Sequence, residues 1–336
     1  MSDRKKSMTI VILAVLVAAG IVVSVFLGKF DITPRELWGI IISRFVPIDK
    51  YWTSQQEHIL WTVRMPRILA ACLVGTALSA AGSVYQGVFE NPMAAPDFLG
   101  ASSGAALGAA LAIILGMGDV MITVMAFFMS LLTIILVYII GNRTKGNKTV
   151  GLVLAGLMVS ALAQAGTSFI KLVADQTNEL PEITYWLMGS LTGITGSDVL
   201  FSFIVIAAGL IPLLILRWRI NVLTIGEQEA STMGIRVDVV RAISLVCATL
   251  ITAAAVSVSG MIGWVGLVVP HFCRKIVGNN YKYLLPASIF TGAFFLLMVD
   301  NVSRNLFEVE IPIGILTAVI GAPFFIHLIT KGGENA

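Results

Sequence analysis

Residues 8–28 read MTIVILAVLVAAGIVVSVFLG, with no charged side chain among them. A helix rises about 1.5 Å per residue, so about 20 apolar residues cross a bilayer core that is about 30 Å thick. The stretch follows the basic residues Arg4, Lys5 and Lys6, but it is too long for the apolar region of a signal peptide and no cleavage pattern follows. It therefore predicts an uncleaved first membrane span.

The composition extends this interpretation to the whole chain. Of the 336 residues, 57% are hydrophobic and only 12% are charged, against about a quarter charged in soluble domains. Too little polar surface remains to cover a water-soluble globule, so the chain is expected to be an integral membrane protein. The net charge of +3 is too small to suggest nucleic-acid binding. The cysteines 72, 247 and 273 lack CxxC spacing, which indicates small packing residues rather than a zinc site or a disulfide framework.

Further apolar runs predict an all-α polytopic membrane protein with ten transmembrane helices and both termini in the cytoplasm. The predicted spans are residues 8–28, 68–89, 98–116, 120–141, 149–172, 199–216, 242–259, 264–276, 282–303 and 312–330. Nine spans are the alternative, because residues 242–270 are too many for one crossing and too few for two full ones. Lys and Arg collect on the cytoplasmic side, and only ten spans place the cluster from Arg274 to Lys282 there. Residues 1–336 are thus expected to form one transmembrane domain without a soluble globule.

The acidic residues argue against an ion-coupled carrier, which would usually bury a carboxylate near the bilayer midplane. All 19 Asp and Glu are expected in loops or within about a turn of a span end, including Asp300. Residues 141–149 nearly match a phosphate-binding loop, but Asn147 stands where Lys is required and no strand precedes it. If ATP drives this protein, another subunit should bind it. An ion-coupled secondary transporter stays the alternative from another class, and no metal site is predicted.

Several segments together resemble the permease subunits of type II ABC importers for iron chelates and cobalamin. They occur in order from about residue 60 to residue 328 and cover about four fifths of the chain. The segments are RMPRILA (64–70), GSVYQGVFENPMA (82–94), LGASSG (99–104), GEQEASTMGI (226–235), GWVGLVVPH (263–271), IPIG (311–314) and GAP (321–323). The resemblance implies ten spans per subunit and a dimer of identical or related chains with the pathway on its axis.

Three arginines match the family's outward docking positions for a substrate-binding protein, namely Arg64, Arg67 and Arg304. Arg64 and Arg67 are one turn apart at a predicted helix N-terminus, where the helix dipole disfavours cations. A carboxylate partner would compensate them, because Arg offers a planar bidentate fork. The alternatives are interfacial snorkelling or, for Arg304, an i to i+4 pair with Asp300.

Two cytoplasmic features are also implied by the resemblance. A coupling helix at about residues 224–235 would contact the ATPase through Gly226, Glu227, Ala230, Met233 and Gly234, the alternative being an ordinary surface helix. A cytoplasmic gate would be formed by Asn91, Pro92, Met93, Thr149 and Val150. A simple helix stop at Pro92 is the alternative for the first part of that gate.

The function implied is uptake of a metal chelate, a ferric siderophore first, with cobalamin, haem or molybdate as alternative cargoes. The chain itself is expected to be neither an enzyme nor a cofactor protein. ATP and Mg would be held by two copies of a partner ABC ATPase. The other expected partners are a soluble or lipid-anchored substrate-binding protein, a second permease copy and membrane lipid. The expected location is a bacterial or archaeal cytoplasmic membrane.

Overall fold

A computed structural model of the chain describes residues 2–144 and 148–332, and within them the regular structure is helical without a strand. The helices are α1 (Asp3–Phe26), α2 (Pro34–Ile42), α3 (Ser54–His58), α4 (Met65–Val88), α5 (Ala101–Ile114), α6 (Asp119–Asn142), α7 (Lys148–Val173), α8 (Glu179–Met188), α9 (Gly196–Leu223), α10 (Glu227–Thr232), α11 (Val237–Ser259), α12 (Val265–Val277), α13 (Tyr281–Asn305) and α14 (Ile313–Gly332). A π-helical turn, Ile59–Arg64, joins α3 to α4, and a short 3₁₀ turn, Pro96–Leu99, precedes α5.

Each of the ten predicted spans coincides with one helix, and together they are α1, α4, α5, α6, α7, α9 and α11–α14. In the part of the chain that is described, seven helical stretches are long and apolar enough to cross a membrane, and α5 and residues Ile313–Ile326 of α14 are shorter apolar stretches. The chain is therefore a multi-pass membrane protein, while the count of ten spans and the cytoplasmic termini stay predictions. Below, the outer end of the bundle is the one where α4 begins and α13 ends, following the predicted orientation.

Helices α4 and α11 form the centre of the bundle. In the most apolar 18-residue stretch of each helix, 78% of the residues are buried for α4 and 72% for α11, against 17% for α1. Helix α4 packs against α9, α11, α12 and α13. A Cβ atom on Gly82 would overlap the backbone carbonyl of Gly266 in α12, so the two helices touch through their backbones. Close backbone contact through small residues of this kind is how lipid-embedded helices pack.

The helix that carries Arg64 and Arg67 begins earlier than predicted. Its N-terminus is at Ser54, where Thr53 accepts a hydrogen bond from the Gln56 backbone in a capping box, and helical structure continues through the π-turn to Val88. Pro66 cannot donate to the helical hydrogen-bond ladder, and the π-turn lies just before it. The expectation that the arginines sit at a helix N-terminus is therefore wrong, because the dipole end lies about three turns away at Ser54.

Asp300 lies near a helix end, as expected. It lies inside α13, five residues before the helix ends, and its side chain is completely buried. Its burial between two cationic partners was not indicated by the sequence, because the closer of them is distant in the chain. One of those partners is Arg67, which is 233 positions away.

Candidate functional site

Four side chains form a buried ionic cluster at the outer end of the bundle, here named the outer ionic cluster: Arg67, Asp300, Arg304 and Glu310. Arg67 Nε donates to Asp300 Oδ1 at 2.8 Å, and its Nη1 donates to Glu310 Oε2 at 2.8 Å. Arg304 Nε lies 3.5 Å from Asp300 Oδ2. The expected pair between Asp300 and Arg304 is therefore present, but Arg67 makes the closer contact with this carboxylate.

The three predicted docking arginines are buried, with 4%, 7% and 6% of Arg64, Arg67 and Arg304 exposed. Arg64 donates to the carbonyl oxygens of Val25 and Phe30, so it fastens α4 to the end of α1. Arg304 donates to the Ser24 carbonyl at 3.0 Å, on the same helix. The docking role stays a prediction, and in this geometry the hydrogen bonds of these arginines go to partners within the chain.

A cavity of about 240 Å³ opens beside these arginines and supplies a route to them. Its wall includes Lys29, Arg64, Arg67, Arg304 and Glu310. Cations outnumber carboxylates in this wall, so the cavity attracts anionic groups.

Glu310 connects the outer ionic cluster to a second, larger cavity. Its Oε2 accepts hydrogen bonds from both Arg67 and Thr192, each at 2.8 Å. Burial raises the pKa of Glu310, but the hydrogen bond and charge of Arg67, with the hydrogen bond of Thr192, outweigh burial and hold the pKa below its ordinary value of 4.5. Glu310 is therefore a carboxylate at neutral pH, tying the loop before α14 to the loop after α8.

The larger cavity has a volume of about 600 Å³ and lies between α8, the end of α11 and the loop before α14. Its wall mixes aromatic, hydroxyl and carboxylate groups, among them Tyr185, Trp186, Ser190 and Glu182. A cavity of this size and mixture can hold a whole organic ligand. Helix α8 is not among the predicted helices, although Leu180, Ile183 and Leu187 give it the spacing of a half-buried helix.

A further cavity of about 430 Å³ lies beside the 600 Å³ cavity. The two are neighbours because consecutive residues line them, Trp186 and Leu187 in α8 and Gly260 and Met261 after α11. Backbone bonds join the elements of the wall, since Ser190 N–H donates to the Ser259 carbonyl at 2.8 Å. Gly260 has a φ of +68°, and a Cβ there would overlap the Trp186 carbonyl, so this close approach requires glycine.

The predicted gate segment lies at the inner end of α4. Helix α4 stops at Val88 because Glu90 adopts a left-handed conformation and the Asn91 N–H donates to the Gln86 carbonyl, which is a Schellman stop. The helix thus ends before Pro92, and the proline continues a turn that already exists. Asn91 Oδ1 accepts the Met93 N–H at 2.9 Å, and residues 91–93 are exposed.

The second predicted gate position opens α7. Val150 is exposed there, whereas the side chain of Thr149 lies outside the described residues. The gate role of both positions stays a prediction.

Two polar contacts that the sequence did not reveal hold the inner end of α4 in place. Gln86 accepts from Arg274 of α12, and the Tyr281 hydroxyl at the start of α13 donates to the Ser83 carbonyl at 2.6 Å. Each partner is about 190 residues away along the chain, so no local pattern could have indicated the pairing.

The predicted coupling helix is observed as α10, which is shorter than the expected range of 224–235. Gly226 precedes its first turn with a φ of +136°. Glu227, Met233 and Gly234 are exposed to solvent. Ala230 is fully buried, so its predicted contact with the ATPase does not fit; it packs α10 against the bundle instead.

Comparison with known proteins identifies the family. Residues 15–331 match the model of the FecCD transport family. The chain is 35% identical over 326 residues to the molybdate import system permease protein MolB of Haemophilus influenzae, covering 96% of each chain. It is 42% identical over 278 residues to a protein of Helicobacter pylori strain 26695 named as a probable iron chelatin transport system permease, covering 83% of this chain and 84% of that one.

Other relatives are named for import of cobalamin, hemin and Fe(3+)-citrate. Among solved structures, an inward-facing ABC transporter of the metal-chelate type matches with a TM-score of 0.85 at 35% identity, covering 96% of this chain and 98% of that one. The family model and the solved structure each match nearly the full length of the chain. The chain therefore belongs to the FecCD transport family, the membrane permease subunits of ABC importers.

Proposed function

We propose that this permease of a type II ABC importer carries a ferric siderophore by ATP-driven alternating access. The observation that carries the proposal is the pair of adjoining cavities, of about 600 and 430 Å³, in a chain whose relatives include iron-chelate permeases. A bare metal ion needs far less room, whereas this volume fits an organic chelate. The hydroxyl and aromatic side chains of the wall suit a large cargo that is passed on without being tightly held.

The working assembly that we propose has two copies of this chain, two ATPase subunits that hold ATP and Mg, and one substrate-binding protein. Permease subunits of ABC importers work with ATPase and binding-protein partners. The exposed residues Glu227, Met233 and Gly234 of the α10 region offer the ATPase contact. The gate role proposed for Asn91, Pro92 and Met93 is supported by their exposure at the inner end of the central helix.

Docking of the binding protein is proposed at the outer ionic cluster and at Arg64. A carboxylate of the incoming protein would replace Glu310 at Arg67, because Glu310 is 35% exposed on a loop whereas Asp300 is fully buried. Removing this internal competitor by Glu310→Gln should tighten binding of the receptor to the permease. Unchanged or weaker binding in a folded variant would exclude this exchange.

Molybdate is the second candidate cargo, because the MolB relative aligns with nearly the whole chain. Cobalamin and haem are further candidate cargoes, because relatives named for their import also align with the chain. The test is to express the chain with its neighbouring genes, purify the complex through a tag on this subunit, and identify the proteins and the chelate that accompany it. A ferric siderophore on the co-purified receptor supports the proposal, while molybdate, cobalamin or haem replaces the cargo and keeps the transporter class.

A further inference from the structure

The coupling helix α10 cannot be rigid by itself, because an isolated helix of six residues is unstable in water. A small hydrophobic cluster holds it, separate from the main core of the bundle. The cluster consists of Val222, Leu223, Ala230, Val237 and Val240, with Ile235 packed against them. Its members come from the end of α9, from α10 and from the start of α11, so the cluster joins these three elements.

An ion pair between α11 and α10 adds to this attachment. Arg241, in the second turn of α11, donates from Nη2 to Glu227, the first residue of α10. The Arg241 side chain is only 9% exposed, whereas Glu227 is 56% exposed. Glu227 is the only hydrogen-bond partner found for this guanidinium among the described residues, and its Nε has none. If Glu227 moved away, the buried charge of Arg241 would lose its carboxylate partner and be left uncompensated. The two residues are therefore expected to move together.

Helix α11 reaches from this ion pair to the cargo cavity. It has 23 residues and so a length of about 35 Å. Its sides are packed against α4, α6 and α9 for most of that length. At the other end, Val258, Ser259 and Gly260 form part of the wall of the 600 Å³ cavity, and the Ser259 carbonyl is bonded to Ser190 after α8.

We propose that Arg241 is a positioning residue that clamps the coupling helix to α11, so that α11 carries movement of the ATPase as a rigid rod to the wall of the cargo cavity. The inference rests on the proposed coupling role of α10. It adds which transmembrane helix receives the movement and which contact transfers it. Because a packed helix does not compress, a displacement at Arg241 reaches Ser259 and, through it, the loop after α8.

The test uses the complete complex of permease, ATPase and receptor in proteoliposomes, with Arg241→Gln as the main variant. We expect the ATPase subunit to stay bound and basal hydrolysis to persist, while receptor-stimulated hydrolysis falls about tenfold, a size that coupled contacts commonly reach. In a Val258→Cys, Tyr185→Cys background, the spin-label distance across the cavity should change on ATP trapping with Arg241 present and stay fixed in the variant. Arg241→Lys, which keeps a cation opposite Glu227 and leaves the exposed Glu227 side chain unchanged, should retain both responses.

The matched control is Arg219→Gln, which removes a charge from an exposed site on α9 and should change neither response. If Arg241→Gln folds, as judged by its thermal unfolding, and keeps full stimulation and the full distance change, the inference is wrong. If Arg241→Gln does not fold, Arg241→Lys decides: retained stimulation supports the clamp, and a folded Arg241→Lys complex without stimulation overturns it. A wild-type chain that binds no ATPase would instead overturn the proposed function.

Discussion

At the scale of single residues, Asp300 connects two helices at the outer end of the molecule. One buried carboxylate lies between the guanidinium groups of Arg67 and Arg304 and joins α4 to α13. It is neutralised by two cations near a helix end, so it does not have the surroundings of a proton or sodium site at the midplane. The burial of Asp300 therefore does not support the alternative of an ion-coupled secondary transporter.

Replacing Asp300 by Asn should destabilise the protein strongly. The substitution leaves two buried guanidinium groups short of their shared carboxylate, a loss of about 3–5 kcal/mol for a buried pair. Thermal unfolding in detergent would measure it, with Glu308→Gln, on the exposed neighbouring loop, as the control. Equal midpoints for Asp300→Asn and the control would contradict the structural role assigned to Asp300.

Glu310 gives a prediction about pH. Its pKa in the folded chain lies below the ordinary value of 4.5, so its ionised form stabilises the fold above that pH, and the stabilisation is lost as pH falls through the folded pKa. The wild type should therefore unfold at a higher temperature than Glu310→Gln at neutral pH, and the difference should shrink below pH 4.5. A difference that is absent at pH 7, or that grows on acidification, would refute the tie to Arg67 and Thr192.

At the scale of elements, the sequence predicted helices better than it predicted their partners. All ten apolar runs are helices, because length and apolarity are local properties. The start of the second span was misplaced because Arg64 and Arg67 suggested a membrane boundary, while the contacts that bury them come from α1, α13 and the loop before α14. The pairs Gln86–Arg274 and Glu227–Arg241 were missed for the same reason, since tertiary contacts leave no local pattern.

The contact between α4 and α12 can be tested at Gly82. A Cβ there would overlap the Gly266 backbone, which cannot move aside as a flexible side chain could. We expect Gly82→Ala to lower the free energy of unfolding by about 1–3 kcal/mol, as overpacking does. Gly196→Ala is the matched control, because a Cβ at Gly196 meets no atom within 4 Å. Similar unfolding curves for the two variants would contradict the close packing of α4 and α12.

At the scale of the whole molecule, the number of spans decides which side of the membrane each part of the chain faces. With ten spans, the outer ionic cluster and the 600 Å³ cavity face the receptor, and α10 faces the ATPase. With nine, the charges from Arg274 to Lys282 would lie outside, against the distribution that membrane insertion favours.

Cysteine accessibility can distinguish the two topologies. Single cysteines at exposed positions are labelled in intact cells by a reagent that does not cross the membrane. Under ten spans, Glu308→Cys should react and Arg219→Cys should not, and a fluorescent protein fused to the C-terminus should fold in the cytoplasm. Labelling of a cysteine at Asn279 from outside would instead favour nine spans.

The central claim is that this chain is a gated conduit whose energy and cargo capture come from other proteins. The most direct measurement is accumulation of a radiolabelled ferric chelate in vesicles that hold either the chain alone or the chain with its ATPase and receptor. The account predicts uphill accumulation only in the complete assembly and only with ATP. Accumulation by the chain alone, sustained by an ion gradient without ATP, would contradict it.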